Sequence, residues 1–351
     1  MGYRVIQWAT GAMGKTCLRG VIDHPDLELV GLKVYNPKKV GADAGDIARR
    51  DPTGIKAVMD IEDILKLDAD VVIHAPRITP PAGSHDGDIQ RLLASGKNVI
   101  SINGHTWPQH WGGDHFKAFE DACKEGGTSL LGAGLNPGWA MEKMAAAATG
   151  LCTQLDHVKV SETVLCNSIP SPEYIFDVLG FGSTPGAVDP NDPDWPPAQM
   201  LNVMFTEVVA QMVHRLGRPL DRVQTAHEMF AAETDVPTAA GTIPAGTVSH
   251  TGWRWLGVSE GKTLVTLAID WMMDDTHLQN PDESLWKVEI SGVPDIRIRL
   301  DMTKPDHIQA RTHAEQFGVA GSVLNSIPLV CVAPPGVVEA PGITLHHKHF
   351  K

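Results

Sequence analysis

The fold of this 351-residue chain is decided by the stretch Val5-Ile6-Gln7-Trp8-Ala9-Thr10-Gly11-Ala12-Met13-Gly14-Lys15. Its apolar start predicts a buried strand, and apolar residues at helical spacing just after it predict a helix. Strand, glycine turn and helix form the context that a dinucleotide fingerprint requires, although an ordinary strand-to-helix turn has the same outline. Gly11 would let a pyrophosphate approach backbone N–H groups, and Gly14 would let the helix pack closely on the strand. Because Ala9 replaces the first glycine, the pattern is A-x-G-x-x-G, with predicted cofactor contacts at Thr10, Gly11, Ala12, Met13 and Gly14.

Composition and charge exclude several classes of protein. Hydrophobic residues make up 42% of the chain and charged residues 20%, as in globular proteins, and no apolar run approaches the ~20 residues of a membrane span. The net charge of -13 argues against nucleic acid or an anionic membrane as the main partner. The five cysteines are widely spaced and form no C-x-x-C pair. Together with the absence of a signal peptide, this predicts reduced thiols and a cytoplasmic location.

Strands alternate with helices in the first part of the chain, which predicts a doubly wound parallel sheet. From about residue 156 the apolar residues recur at every second position, as in a largely antiparallel, half-exposed sheet. We therefore expect an α/β protein with a Rossmann domain at residues 1–140 and a central substrate and dimerisation domain at 141–313. Residues 314–351 are expected to form a C-terminal helix, broken at Pro328, and a tail that return to the Rossmann domain. The open sheet and the apolar helix at 201–216 predict the surface of a homodimer.

The residues after the second predicted strand indicate which nicotinamide cofactor is preferred. An acidic residue at this point would hold the ribose 2′-hydroxyl of NAD. The chain has Asn36 here instead, and Lys38 and Lys39 follow it. An amide with two lysines suits a 2′-phosphate, so the sequence favours NADP, with NAD possible. Alternatively, this is a solvated turn whose lysines bind nothing.

Ligands collect at the carboxyl ends of strands in open α/β sheets. One such end is predicted at residues 74–76, and two others lie in the loops 103–111 and 132–139. The expected cofactor contacts there are His74, Ala75, Pro76, Asn136 and Pro137. The expected walls of the substrate pocket are Asn103, Trp107 and Trp139. The spacing of the histidines in the first loop fits neither a helix face nor a strand face, so we predict polar loop residues and no metal site.

Two residues are predicted to exchange the proton that accompanies hydride transfer. His105 lies in the loop after the fifth strand, and an imidazole both gives and takes a proton near neutrality. Alternatively, it is a loop residue hydrogen-bonded to backbone. Glu162 shares a predicted strand face with three valines. It is either a carboxylate that faces a cleft or a strand-end residue that reaches solvent.

Four motifs, in this order along the chain, resemble the dihydrodipicolinate-reductase-like oxidoreductases, in particular the native amine dehydrogenases and 2,4-diaminopentanoate dehydrogenase. They are the glycine turn 9–14, the segment 39–45, Asn136-Pro137-Gly138 and Ala333-Pro334-Pro335-Gly336. The resemblance spans nearly the whole chain. It implies a Rossmann domain, a central α/β domain and a homodimer. It also implies NAD(P)-dependent interconversion of a ketone plus ammonia with a primary amine.

The chain departs from these relatives at two places. Val164 and Leu165 stand where dihydrodipicolinate reductases have paired histidines, and Ser168 or a neighbour stands where they have a lysine, so we reject that activity. The glutamate that binds the amine in amine dehydrogenases is missing from the loop 101–106, where His105 is the nearest acid or base. Two alternatives to an amine dehydrogenase therefore remain, namely a carbonyl–alcohol oxidoreductase and a non-catalytic NADP-binding protein.

Overall fold

The structure is a computed structural model that describes residues 2–79, 81, 83–277, 286–308 and 312–339. The strands of this part are β1 (Tyr3–Trp8), β2 (Leu27–Lys33), β3 (Ala57–Val58), β4 (Val71–His74), β5 (Asn98–Ser101), β6 (Ser129–Gly132), β7 (Gln154–Leu165), β8 (Arg222–Thr225), β9 (Glu228–Ala231), β10 (Val236–Thr238), β11 (Gly241–Ile243), β12 (Val248–Ser259), β13 (Lys262–Met272), β14 (Trp286–Val293), β15 (Ile296–Leu300) and β16 (Gly336–Val337). The α-helices are α1 (Ala12–Asp23), α2 (Ala44–Ala48), α3 (Ile61–Leu65), α4 (Asp86–Ala94), α5 (Gly113–Gly126), α6 (Ala146–Thr149), α7 (Pro196–Arg215), α8 (Ala314–Leu324) and α9 (Ile327–Val332).

The chain divides into two compact units. The first contains the described residues up to 79, then 83–139, then those from 302 onward. Its sheet has the strand order β16-β6-β5-β4-β1-β2-β3, and all pairings are parallel. Side chains alternate between two cores, since Ile6, Trp8 and Val72 pack in one and Val5 and Ile73 in the other. The predicted α/β class and doubly wound parallel sheet are confirmed.

The last described segment completes this first unit. Helix α8 packs against α1, and Val323, Ile327 and Val330 are fully buried in the core beside β1. The predicted helix is interrupted, but at residues 325–326 rather than at Pro328, which lies in the first turn of α9. A proline is tolerated there, since the N–H it lacks has no partner within the helix. The predicted tail beyond residue 339 lies outside the described residues.

The second unit contains residues 140–301, apart from the undescribed 278–285. A turn of π-helix at Ala140–Ala145 leads into α6, and another lies at Glu173–Val178. The sheet has the strand order β15-β14-β7-β13-β12-β8, and β9 also pairs with β12. Only the pairing of β13 with β7 is parallel, so the prediction of a largely antiparallel sheet is confirmed.

Two expectations about the second unit are wrong. The sheet is not half-exposed at its centre, because β13 is buried on both faces from residue 264 to 269. The helix predicted at 201–216 corresponds to α7, which packs on β12 and β13 with most of its residues buried. Its apolar residues are therefore already used within the unit, and α7 offers no apolar stripe for a second subunit.

A buried histidine between α7 and the sheet requires a neutral ring. His227 Nδ1 accepts a hydrogen bond of 3.0 Å from the Arg254 backbone N–H, and Nε2 lies 3.0 Å from Asn202 Oδ1. Trp255 Nε1 donates to the same amide oxygen at 2.8 Å. Burial, followed by the charge of Arg254, lowers the pKa of His227 to about 4.

This histidine should make the second unit sensitive to acid. The pKa of His227 is lower in the folded state than the ~6.5 of an unfolded chain, so its contribution is fully present above pH ~6.5 and is lost as the pH falls toward 4. We expect the free energy of unfolding in urea to decrease between pH 7 and pH 5 by at most about 1.4 kcal/mol per pH unit from this group. His227→Gln cannot titrate, so a pH dependence as steep as that of the wild type in this variant would contradict the assignment.

Candidate functional site

The glycine turn between β1 and α1 has an open side and a closed side. A Cβ added to Gly14 would lie 2.2 Å from the backbone oxygen of Ala9, so only glycine fits without a shift of the backbone. A Cβ added to Gly11 would meet no atom within 4 Å. The turn therefore has free space at Gly11, where the dinucleotide pattern places a pyrophosphate, and close helix–strand packing at Gly14.

Ala9 takes over the conformational role of the missing first glycine. Its φ of 75° lies in the left-handed region, which costs a non-glycine residue roughly 1–2 kcal/mol. The chain thus keeps the backbone shape of the fingerprint although the residue differs. Its backbone is held on both sides, since the Ala9 N–H donates to Lys33 O at 2.9 Å and the Ala9 carbonyl accepts from Gln7 Nε2 at 3.1 Å.

Positive charge surrounds this turn in a protein that is acidic overall. Lys39 Nζ lies 2.9 Å from Thr10 Oγ1 and 3.2 Å from Thr10 O. Burial and then the charges of Lys39, Arg19 and Arg49 lower the pKa of Lys15, the residue after the last glycine. The clustering of these side chains makes the turn suitable for an anionic ligand.

The two other residues predicted to choose the cofactor lie in the turn that follows β2. Asn36 Oδ1 accepts a hydrogen bond of 3.0 Å from the Lys38 backbone N–H and so caps the short 3₁₀ turn Pro37–Lys39. Asn36 and Lys38 are both exposed. Lys39 therefore reaches the glycine turn itself, whereas Lys38 is solvent-facing beside it.

A buried carboxylate shapes the loop behind this turn. Asp43 accepts hydrogen bonds from the backbone N–H groups of Gly45, Thr53 and Gly54 and from the Thr53 hydroxyl. The Thr53 N–H bond is the main cause that lowers the pKa of Asp43 to about 2. One side chain thus fixes the backbone of residues 43–54.

The carboxyl end of β4 meets that of β5 through Asn103. Its Nδ2 donates a hydrogen bond of 2.9 Å to the Pro76 backbone oxygen, so two of the loops predicted to line the site are joined. Ala75 is buried, and the side chain of His74 is only 1% exposed. Burial, followed by the charges of His85 and His105, keeps the pKa of His74 well below its usual value. Contact between a cofactor and residues 74–76 would therefore use backbone rather than the His74 ring.

His105 is held by two side chains rather than by backbone. Its Nδ1 lies 3.0 Å from Ser101 Oγ, and its Nε2 lies 3.0 Å from Asp86 Oδ1. His115 Nδ1 approaches the other oxygen of Asp86 at 3.8 Å. The His105 side chain is 11% exposed, and its φ of 61° is left-handed. In a neutral ring, the bond to the Asp86 carboxylate requires the proton on Nε2, which leaves Nδ1 to accept from the Ser101 hydroxyl.

The loop after β6 packs tightly. Pro137 is buried, and Asn136 and Trp139 are half-buried. A Cβ added to Gly138 would lie 2.4 Å from the backbone nitrogen of Gly134, so the two ends of the loop are in contact. In the preceding loop, Trp107 stacks with His110 at a ring distance of 6.3 Å. Among the described residues, no group of three His, Cys, Asp or Glu side chains could hold a metal ion.

Glu162 belongs to the second unit. It lies within β7 rather than at its end, opposite Trp286 on β14 and Ile269 on β13, and is partly exposed. The described part of the chain also contains no helix long and apolar enough to cross a membrane.

Three side chains of the first unit have contacts that the sequence pattern does not indicate. Two of them are the contacts of His105: Asp86 lies 19 residues before His105 and only the fold brings them together, and Ser101 lies four residues before it. The third is Lys33, which lies in the predicted strand but has a buried side chain. Its Nζ lies 3.2 Å from the centre of the Tyr35 ring and 4.5 Å from that of Trp8. Burial lowers the pKa of Lys33 to about 8.

The chain is similar to known oxidoreductases along nearly its whole length. Residues 5–85 match the family described as dihydrodipicolinate reductase, N-terminus. An amine dehydrogenase of Streptomyces virginiae is 27% identical over 365 residues, which cover 97% of this chain and 96% of that protein. The 2,4-diaminopentanoate dehydrogenase of Acetoanaerobium sticklandii is 24% identical over 347 residues, covering 95% of this chain and 91% of that protein.

A solved structure shows the same fold. The amine dehydrogenase from Mycobacterium smegmatis superposes with a TM-score of 0.76 at 19% identity, covering 96% of this chain and 95% of that one. These matches confirm the resemblance inferred from the glycine turn and the three later motifs. The chain is thus an NAD(P)-dependent oxidoreductase whose sequence and fold resemble those of the amine dehydrogenases and 2,4-diaminopentanoate dehydrogenase.

Proposed function

We propose that the protein is an NADP-dependent amine dehydrogenase that converts a small ketone or aldehyde and ammonia into a primary amine, and the reverse. The observation that carries this proposal is the similarity to an amine dehydrogenase over 97% of the chain. The glycine turn supports it, with open space at Gly11 and Lys39 against Thr10. The nicotinamide supplies the hydride, and the protein orients the reactants and moves the proton.

The proposed proton exchange uses His105, with Glu162 as the competing group. Although the loop 101–106 contains no carboxylate, Asp86 brings one to His105. A carboxylate bonded to one ring nitrogen stabilises the imidazolium that forms when the other nitrogen takes a proton. The walls of the substrate pocket are proposed to be Asn103, Trp107 and Trp139.

The reaction is tested by following NADPH oxidation with a panel of ketones and aldehydes, with and without ammonium. An amine dehydrogenase requires ammonium for turnover. Turnover of a carbonyl compound without ammonium would instead identify a carbonyl–alcohol oxidoreductase. This alternative is favoured by the histidine that stands in place of the loop glutamate. Cofactor binding without turnover on any compound would identify a non-catalytic NADP-binding protein.

The preference for NADP is proposed to depend on Lys38 and Lys39. Replacing both by alanine should weaken NADP(H) binding by about tenfold or more, because a charged hydrogen bond to the 2′-phosphate is worth ~1.5–3 kcal/mol. NAD(H) lacks this phosphate and serves as the control, so its dissociation constant should change little. Equal wild-type affinity for both cofactors, or an unchanged NADP(H) affinity in the variant, would contradict the preference.

A homodimer is also proposed, built through the second unit. Since α7 is buried, the contact must use other residues, and the exposed apolar Leu151 and Val293 lie near each other at one end of β7 and β14. Light scattering at micromolar concentration should give twice the chain mass of 37.8 kDa. Leu151→Asp should shift the mass toward the monomer, and a wild-type monomer would refute the proposal.

A further inference from the structure

A cavity of about 240 Å³ lies in the second unit, on the face of the sheet opposite α7. Position 257 of β12 faces α7, since a Cβ there would meet Val209 and Val213. The cavity is instead lined by Arg254 and His250 of the same strand. Side chains of β7, β9, β13 and β14 and the ring of His277 complete this lining, and all of these described residues belong to the second unit.

Two buried polar atoms in this cavity lack a hydrogen-bond partner among the described residues. They are the hydroxyl of Ser161 and Nδ1 of His250, and each residue is 6% exposed. A buried polar group without a partner costs roughly 1–3 kcal/mol, so such groups in a cavity indicate a ligand or a bound water. The two atoms lie on strands separated by β13 and mark different ends of the cavity.

The Ser161 end favours an anion. Lys287 pairs directly with Ser161 across β14 and β7, and Lys159 lies two residues away on the same face. Lys159 Nζ is 3.9 Å from Glu289, a long contact between half-exposed groups. Ser161, Lys159 and Lys287 all line the cavity, and a hydroxyl together with two ammonium side chains has the chemistry of a carboxylate site.

The His250 end favours a hydrogen-bond donor. His250 Nε2 lies 2.9 Å from Asp270 Oδ1, and in a neutral ring this hydrogen bond requires the proton on Nε2 and leaves Nδ1 as an acceptor. Arg254 Nη2 donates to both oxygens of Asp270, at 2.7 and 3.0 Å, which fixes this carboxylate and balances its charge. The Asp270–Arg254 ion pair therefore holds the His250 ring, and with it the acceptor Nδ1, in place.

Aromatic rings surround the same end. Phe230 packs against His250 with a ring distance of 4.9 Å and against His277 with 5.6 Å. The two histidine rings are 5.2 Å apart. These rings suit a planar group at the donor end of the ligand, because stacked and tilted aromatic contacts are favourable at 4.5–7 Å.

We propose that this cavity binds an elongated aromatic carboxylate that carries a hydroxyl or amine at its other end. Ser161, Lys159 and Lys287 hold the carboxylate, and His250 Nδ1 accepts from the donor group. The residues that line the cavity belong to the second unit and include none of those assigned to the proposed reaction, so this inference does not rest on that reaction.

The test uses 4-hydroxyphenylacetate as the probe, with calorimetry on the full chain. Phenylacetate lacks the donor and 4-hydroxyphenylethanol lacks the carboxylate, so each should bind about tenfold or more weakly. Ser161→Ala should weaken the probe by about tenfold or more while the melting temperature without probe stays equal or rises, since the variant removes an unpartnered hydroxyl. Ser259→Ala is the matched control, because Ser259 is also buried with an unpartnered hydroxyl but does not line the cavity.

Three results would overturn the proposal. The first is a probe that binds no more tightly than the two analogues, and the second is a probe that binds Ser161→Ala as tightly as the wild type. The third is a lower melting temperature of Ser161→Ala together with a changed mass in light scattering. That result would show that the face is a contact between subunits and that Ser161 is satisfied by a second copy.

Discussion

His105→Ala should lower kcat by about 10²–10⁴-fold, the usual loss when a general acid or base is removed. The reason is the chain of contacts from Asp86 through His105 to Ser101, in which the carboxylate holds one ring nitrogen and the opposite nitrogen exchanges a proton through its hydrogen bond with the Ser101 hydroxyl. NADP(H) affinity should stay nearly unchanged, because the cofactor contacts are assigned to other residues. The measurement is steady-state turnover with the best carbonyl substrate, together with a cofactor titration.

Further variants separate catalysis from loop structure. Asp86→Asn keeps the size of the side chain but does not stabilise a protonated ring, so it should lower kcat and change its pH profile. A purely structural His105 would lower the melting temperature of these variants without moving the pH profile of the activity that remains. If His105→Ala keeps near-wild-type turnover and Glu162→Gln loses it, proton exchange depends on Glu162 and the assignment is wrong.

The two glycines of the turn should respond to alanine in opposite ways. Gly14→Ala places a Cβ 2.2 Å from the Ala9 carbonyl oxygen, and overpacking of this kind costs about 1–3 kcal/mol or more in the free energy of unfolding. Gly11→Ala meets no protein atom within 4 Å and should leave that free energy almost unchanged. The added methyl group would instead occupy the space of the pyrophosphate, so we expect a loss of cofactor affinity of tenfold or more.

Both variants are checked by urea unfolding and by cofactor titration. A Gly11→Ala variant that binds NADP(H) as tightly as the wild type would show that the pyrophosphate does not approach this turn. A Gly14→Ala variant with wild-type stability would show that α1 can move away from Ala9, contrary to the packing described. Each glycine thus serves as the control for the other.

The parts of the fold that follow from local pattern could be predicted from the sequence. The apolar run before Ala9, the glycine turn and the alternation of strands with helices were enough for the parallel sheet of the first unit. The burial of α7 and of β13 could not be predicted. The sequence pattern of an apolar helix stripe, or of a strand with period two, is the same whether the surface that covers it belongs to the same unit or to another subunit.

Residues of the candidate site could be predicted only where they lie close together in the sequence. Gly11 and Lys39 both follow strands of the first strand–helix–strand segment, β1, α1 and β2. Their spacing in the sequence therefore indicates that they lie near each other in the fold. Asp86, at the start of α4, meets His105 only because β4 and β5 are neighbours in the sheet, and single-sequence spacing does not record that. Ser101 lies only four residues before His105, but nothing in the sequence shows that its hydroxyl faces the ring. The same holds for Ser161 and Lys287, which face each other through the register of β7 and β14.

The placement of β16, α8 and α9 in the first unit has a consequence for biosynthesis. The strand at Gly336–Val337 hydrogen-bonds to β6, and the helices before it fill the core beside β1. A ribosome makes the other strands of this sheet first and these elements last, with the whole second unit between them. The second unit can therefore fold while the chain is still growing, whereas the nucleotide-binding unit is completed only when the residues from 302 onward have emerged. Until then, the core that receives Val323, Ile327 and Val330 stays uncovered, and exposed apolar surface of this kind favours association of nascent chains.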